Sequence, residues 1–413
     1  MSDSAFVTLT LADIAEFCNG KGISPSLYSP YGKYPVFGSN GQIARTDELL
    51  NPSPVIVVGR VGAFCGSVYR VDEPSWTTDN AIVVKPQPHI DFGFLYYRLK
   101  SLDINRTAIG SAQPLVTQGG LKIIQILVPS LPEQKLIAYI LGTLDDKIEL
   151  NQQMNRNLEA IAQAMFKSWF IDFDPVLAKV EGRQPAGMDA ATAALFPDSF
   201  EDSPLGEIPK GWRVIKLADI CSTQYGYTAS AKNDKVGTHL LRVMDINKQN
   251  WIEWANVPFC EISEADLAKY SLKVGDIVVA RMADPGKAAI VEQAVNAVFA
   301  SYLVRLKTES LSLSYYVYHF LKSSLYKAYT AGAQSGSVQA NMNAKVITAV
   351  DLILPQNKLL CVFLDRILPI RKQIITNVEQ SCTLATIRDT LLPKLMSGEI
   401  RVKEAEEILE NVA

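Results

Sequence analysis

Apolar residues spaced alternately by three and four run down two separate stretches of the chain. In the first they fall at Ile137, Leu141, Leu144 and Ile148, then at Leu158, Ala162, Met165 and Trp169, with Asn151 and Asn155 filling the same stripe at its middle. The second stretch runs through Leu360, Phe363, Ile367, Ile370 and Ile374, then Asn377 and Ser381, then Leu384, Arg388, Leu391 and Leu395. Such spacing is that of a coiled-coil seam and predicts two long helices, within residues 131–175 and 354–398. Both seams turn polar near the centre. A buried Asn in a seam costs stability but fixes register, so matched polar centres predict that the helices pack on one another, antiparallel. Pro132 and Pro355 are expected in first helical turns, where the missing N–H is not needed. Pro369 is expected to kink or split the second helix.

Ahead of each helix the pattern changes. KYPVFGSNGQIA and PVIVVGRVGAFCGSVYRV read as short strands joined by tight turns. FGFLYYRLKSL and SLSYYVYHFLKSSLYKAYT read as amphipathic helices. These mixed segments repeat. LADIAEFCNG (11–20) is echoed by LADICSTQYG (217–226), VIVVGR (55–60) by DIVVAR (276–281), and LKS recurs at 99–101 and 321–323. SAQPLVTQGG (111–120) answers GAQSGSVQAN (332–341), IIQILVP answers VDLILP, and LPEQKLIAYI (131–140) answers LPQNKLLCVF (354–363). Matches kept in one order mark an internal duplication.

The expected fold class is α+β. Two similar mixed domains, 1–130 and 210–353, are separated by two long antiparallel coiled-coil helices, 131–175 and 354–398, with an approximate twofold axis. Residues 176–209, rich in Ala, Pro, Gly and acid, read as an extended linker, and 399–413 as an acidic tail. A helix of about 38 residues would be roughly 57 Å long, enough to hold two heads at a fixed spacing.

Composition adjusts this picture little. The net charge is −3, which does not advertise nucleic-acid binding. Yet residues 6–128 hold 10 Lys+Arg against 9 Asp+Glu, 211–352 hold 15 against 12, and 132–175 hold 4 against 7. The heads lean basic and the helix between them acidic. The six cysteines are scattered with no CxxC pair and the three histidines stand apart, which predicts reduced thiols in a cytoplasmic protein and no metal site. MSDSAF lacks the basic and apolar regions of a signal peptide, and no apolar run reaches the roughly 18 residues of a membrane span.

Two similar heads at fixed distance suit a ligand with two sites at fixed distance, and duplex DNA is such a ligand. The layout, with LPEQKLIAYIL…LDDKIELNQQMNRNLEAIAQAMFKSWFIDFDPV (131–176), GEIPKGWRVIKLADI (206–220) and LLPKLMSGEIRV (391–402), resembles the specificity subunit of type I restriction–modification enzymes. The resemblance spans nearly the whole chain. It implies that the heads are target recognition domains reading the two halves of a bipartite site in double-stranded DNA. It also implies that the helices set the spacer and dock two modification (methyltransferase) subunits, which restriction subunits can join. The chain itself would then be non-catalytic and need no cofactor, with S-adenosylmethionine held by the methyltransferase. A protein-interaction scaffold with two heads on a rigid strut is the alternative.

The residues agree on the lack of chemistry. Asn51-Pro52-Ser53-Pro54 has no aromatic fourth position to stack a flipped base, and reads as a turn. Gly38-Ser39-Asn40-Gly41 lies outside any strand–helix cofactor unit, and reads as a hairpin turn. DNA contact needs donors on loops. Arg60 and Arg281 end matching strands. The polar loops offer Ser111, Gln113, Thr117 and Gln118 in the first head, and Gln334, Ser335, Ser337, Gln339 and Asn341 in the second. Tyr225 and Tyr227 with Lys232 and Lys235 form a further candidate patch. Trp169 and Phe170 read as core or partner interface.

Overall fold

The computed structural model describes residues 6–110, 114–334 and 341–410. It divides into two compact units, 1–149 with 383–413, and 150–382.

The first unit opens with β1 (Val7–Thr10), the short α1 (Leu11–Ile14) and β2 (Ala15–Asn19). Then come β3 (Tyr34–Gly38), β4 (Gly41–Thr46), β5 (Val55–Gly59), β6 (Val68–Val71), β7 (Trp76–Thr77) and β8 (Ala81–Pro86). The head closes with α2 (Phe92–Lys100), α3 (Gln118–Lys122) and β9 (Gln125–Val128). Strands pair as a four-stranded sheet, β2-β8-β5-β6, a three-stranded sheet, β4-β3-β7, and a β1-β9 pair. The VIVV run of β5 is buried throughout, as a strand covered on both faces must be.

From β9 the chain enters α4 (Leu131–Phe170), which starts in the first unit and ends in the second. Pro132 sits in its first turn, as expected. Residues 176–209 are not extended, contrary to the sequence reading. They form α5 (Asp174–Val180), α6 (Ala190–Ala193) and the hairpin of β10 (Phe200–Ser203) with β11 (Gly206–Pro209). Val176, Phe196 and nearby Trp212 are buried in the core of the second unit with Trp169 and Phe170. Isolated aromatic anchors hold the segment, and these have no period to read.

The second head repeats the first. It contains β12 (Arg213–Lys216), β13 (Ser222–Tyr225), β14 (Thr238–Leu241), β15 (Phe259–Cys260), α7 (Glu264–Tyr270) and β16 (Ile277–Ala280). After β17 (Ala288–Ile290), β18 (Ala297–Phe299) and β19 (Leu303–Lys307) come α8 (Leu311–Leu321), α9 (Ser324–Gln334), α10 (Ala344–Thr348) and β20 (Asp351–Leu354). The pairings β13-β19-β16-β17, β15-β14-β18 and β12-β20 match those of the first head strand for strand, including the one parallel partner, β7 on β3 and β18 on β14. Gly20 and Gly226, which end the repeated LADI segments, are needed for the same reason. A Cβ at Gly20 would stand 2.1 Å from the Thr78 carbonyl, and one at Gly226 2.2 Å from that of Ala300. Helix α8 is not amphipathic as its sequence suggests: Tyr315 to Leu321 are all buried.

The second long helix, α11 (Asn357–Ser397), begins two residues after Pro355, so that proline precedes the first turn instead of occupying it. The helix also runs unbroken through Pro369, against expectation. Pro369 and Pro393 both lie on the exposed face, where water can take up the carbonyls that lose a partner. The last element, α12 (Val402–Glu410), is a helix where an acidic tail was expected, because Val402 and Ala405 join the first unit's core.

The long helices touch within each unit. In the first, Leu141 and Leu144 share a core with Leu391 and Leu395, and Asp145 pairs with Arg388. In the second, the Asn155 Oδ1 accepts from the Asn377 amide (2.8 Å), and the Asn151 amide donates to Gln380 Oε1 (2.9 Å). Partners on α11 fall in number as those on α4 rise, so the helices are antiparallel, and the polar seam centres meet. The buried stripe drifts from the heptad: Glu159 and Phe166 are buried while Leu158 and Met165 are only half so. A straight helix of 3.6 residues per turn slips against a period of 3.5.

Candidate nucleic-acid interface

Each head places an arginine at the end of its central strand and ties a polar loop to it. In the first, β5 ends at Gly59, and the Arg60 carbonyl accepts from the Val116 N–H (2.9 Å). In the second, β16 ends at Ala280, and the Arg281 carbonyl accepts from the Met342 N–H (2.9 Å). The loop then caps a short helix in both heads: Thr117 Oγ1 accepts from Gly120 N–H (3.1 Å), and Asn343 Oδ1 from Val346 N–H (3.0 Å). In each head one backbone bond and one side-chain helix cap thus hold the C-terminal end of the loop against the strand end that carries the arginine. This arrangement is doubled although the loop sequences differ.

The side chains nearby are partly committed. The Arg60 Nη1 reaches the Asp79 carbonyl at 3.4 Å. Arg281 lies over the ring of Tyr225, 5.0 Å from its centroid, a cation–π contact that aims the guanidinium. The Tyr225 hydroxyl accepts from the Ala344 N–H (3.0 Å). Gln118 is half-buried and pairs with Asn19 whichever way its amide is turned. Asn19 and Tyr225 occupy the same place in the LADI repeats, so one strand end braces the loop in each head.

The rest of the tyrosine–lysine patch is divided. Tyr227 packs against Tyr270, with ring centroids 5.4 Å apart and the ring planes tilted by 46°. Lys232 pairs its backbone with Phe259 and its ammonium with Glu261 (2.7 Å), sharing none of these partners with Arg281. Lys235 and Asn341 are exposed. Ser111, Gln113, Ser335, Ser337 and Gln339 lie outside the described residues, as does the side chain of Gln334.

Of the two motifs read as turns, Gly38–Gly41 forms the β3–β4 hairpin turn, while Asn51–Pro54 is a bend that follows a β-bridge at Asn51. Asn51 is buried, and its amide donates to Thr77 Oγ1 (3.0 Å) while its backbone bridges to Ser75. The Ser39 hydroxyl accepts from the N–H groups of Arg60 and Val61 (3.2 Å each), so the β3–β4 hairpin turn buttresses the strand end that carries Arg60. Trp169 and Phe170 are core residues. Among the described residues, no group of three or more His, Cys, Asp or Glu is placed to hold a metal ion, and no helix is long and apolar enough to cross a membrane.

Sequence reasoning missed a buried ionic cluster that fastens the second head to the helices. Arg371 of α11, 1% exposed, pairs with Glu159 of α4 and with Glu292 (2.5 Å) of the head. Lys322 of α8 also pairs with Glu159, and Tyr315 Oη donates to Glu292 (2.8 Å). Burial pushes the Glu292 carboxyl up to about 8 and the Arg371 guanidinium down to about 9. The repeated LKS motif has one task here: Lys100 approaches Asp145 of α4 (3.8 Å) as Lys322 does Glu159. A charged residue beside an apolar stripe, such as Arg371 between Ile370 and Ile374, was the available signal, because buried charge demands a partner.

Comparison with known proteins finds relatives over most of the chain. The family model described as "Type I restriction modification DNA specificity domain" matches residues 3–160 and again 209–380, one match per head. The HindI specificity subunit of Haemophilus influenzae is 26% identical over 334 residues, covering 70% of this chain and 71% of that protein. The MjaIX specificity subunit of Methanocaldococcus jannaschii is 28% identical over 351 residues, covering 82% and 76%. The crystal structure of a type I S subunit from M. genitalium superposes with a TM-score of 0.57 at 19% identity, covering 96% of this chain and 97% of that one, and so shares the fold. With two copies of the family's domain accounting for most of its length, the chain belongs to the type I restriction–modification DNA specificity subunits.

Proposed function

We propose that the two heads read the two halves of a bipartite sequence in double-stranded DNA, each through its strand-end arginine and the loop clamped beside it. The observation that carries this reading is the doubling of one presentation device, Arg60 with Val116 and Arg281 with Met342, under loops of different sequence. A shared scaffold with divergent loops suits two different half-sites. Arg60 and Arg281 are the candidates for guanine or phosphate. The loop groups Ser111, Gln113, Thr117, Asn341 and their neighbours are candidates for adenine edges and phosphates. Gln118 and Tyr225 act behind them, holding the loop.

In this reading α4 and α11 set the number of base pairs between the half-sites and dock two methyltransferase subunits, with restriction subunits joining the assembly in the cytoplasm. The chain contributes recognition and no catalytic group, and S-adenosylmethionine belongs to the methyltransferase. Methylation mapping in cells carrying this chain and its methyltransferase tests the proposal. One bipartite sequence, modified on both sides of a fixed gap, is the expected result. Indiscriminate modification, or equal retardation of all duplexes by the purified complex, would count against it.

A further inference from the structure

The second unit contains a cavity of about 510 Å³ that the reading above leaves unused. One wall is a single face of α4, with Arg156, Glu159, Ala160 and Gln163 at intervals of three and four. The opposite wall is the β16–β17 turn, Asp284 to Lys287, and the remainder comes from the end of α8 and from α9. Four cations line it: Arg156, Lys287, Lys322 and Lys327. Of its two acids, Asp284 is exposed, and Glu159 is already engaged by Lys322 and Arg371. By its lining residues the cavity holds four basic groups against two acids in a concave site, where low-dielectric walls concentrate the field.

We propose that this cavity binds a phosphate group. Four basic side chains on four elements converge on one space, and a dianion is the ligand that answers such an arrangement. Burial first, and then the Lys287 ammonium, pushes Lys322 down to about 7, so the site crowds like charges that an anion would relieve. The turn that supplies Lys287 begins at Arg281, the candidate base reader, and it is tightly seated: a Cβ at Gly286 would stand 2.8 Å from Thr330 of α9. A phosphate held here would flank whatever Arg281 reads. The first head has no counterpart, because its corresponding turn, Val61 to Ser67, carries no charged residue. Two sources fit the chemistry, the backbone of a duplex on the second head or a free nucleotide. The first rests on the DNA-reading proposal and the second does not.

The test uses the double variant Arg156→Ala/Lys327→Ala, since both side chains are exposed and the buried Lys322–Glu159 pair is kept. With the methyltransferase-bound complex, affinity for a duplex carrying the mapped site is followed between about 50 and 200 mM salt. If the duplex supplies the phosphate, the slope of log K against log salt falls by about 1–2 and affinity drops about tenfold on all sequences alike. In parallel, pyrophosphate and ADP are titrated calorimetrically onto the full chain. If a free nucleotide is the ligand, the wild type binds it at one site, the variant does not, and the duplex slope is unchanged. An unchanged slope together with no pyrophosphate or ADP binding overturns the proposal. A wild-type complex with no sequence preference would instead sink the DNA-reading function, and the titration would still decide the cavity.

Discussion

Replacing Arg371 by Met tests the claim that the second head is fastened to the long helices by buried charge. The guanidinium bonds both Glu292 oxygens, at 2.7 and 2.5 Å, pairs with Glu159, and lies 5.4 Å from the ring of Tyr318. Met fills much of the space but leaves Glu292 with Tyr315 alone, while Glu159 keeps Lys322. Removing one partner of a buried pair costs about 3–5 kcal/mol, because the other charge stays desolvated. Only one carboxylate is stranded, so the cost should fall in that range and not at twice it. Trp169, Trp212, Trp251 and Trp254, four of the chain's five tryptophans, lie in residues 150–382, so urea unfolding followed by tryptophan fluorescence reports on this unit. With a slope of about 3 kcal/mol/M the midpoint should fall by about 1–2 M. The cost also depends on pH. The Glu292 carboxyl is raised from 4.5 to about 8 on folding, so the folded state binds the extra proton. Removing the guanidinium raises that carboxyl further, so the penalty is small below about pH 8, where the group is protonated in both proteins, and grows as the pH rises above 8, where the unfolding is to be measured. Adding Glu292→Leu should recover a large part of it, since no charge is then stranded. A midpoint within about 0.2 M of wild type would refute the fastening role, as would a double variant no more stable than Arg371→Met.

Asn377→Leu should destabilise by about 1–3 kcal/mol, because it strands the Asn155 Oδ1 in the seam, and Asn155→Leu/Asn377→Leu should regain most of that in the same unfolding assay. Arg281→Ala should weaken binding of the mapped duplex by about 1–3 kcal/mol and relax sequence preference in one half-site only, measured by competition gel shift; relaxation in both would mean the heads do not read separately. Replacing residues 6–128 by the head of another specificity subunit should change one half-site and leave the other, as read by methylation mapping. Inserting one heptad in both α4 and α11 adds about 10 Å of helix and should lengthen the gap by about 3 base pairs without altering either half-site. Changed half-sites would mean that helices and heads have been given each other's roles.

The duplication, the two long helices and the meeting of their polar centres were legible in sequence. Each rests on a local period or a repeated string, and the order of the matches is independent of how the chain folds. The hairpin turn at Gly38–Gly41 was legible too, because turn chemistry is local. Other features depended on distant partners. Pro369 stays inside α11 because it faces outward, which no propensity can foresee. Residues 176–209 fold because Val176 and Phe196 find a core made by elements on either side of them in the chain. Arg371, Glu159 and Glu292 come together only when α11, α4 and the head pack, across separations of 79 to 212 residues. The strand-end arginines were visible as a repeat, but their carbonyl clamps on Val116 and Met342 were not. A period along the chain is set by the helix or strand a segment forms; a buried charge or a bound loop is set by what the rest of the chain brings to it.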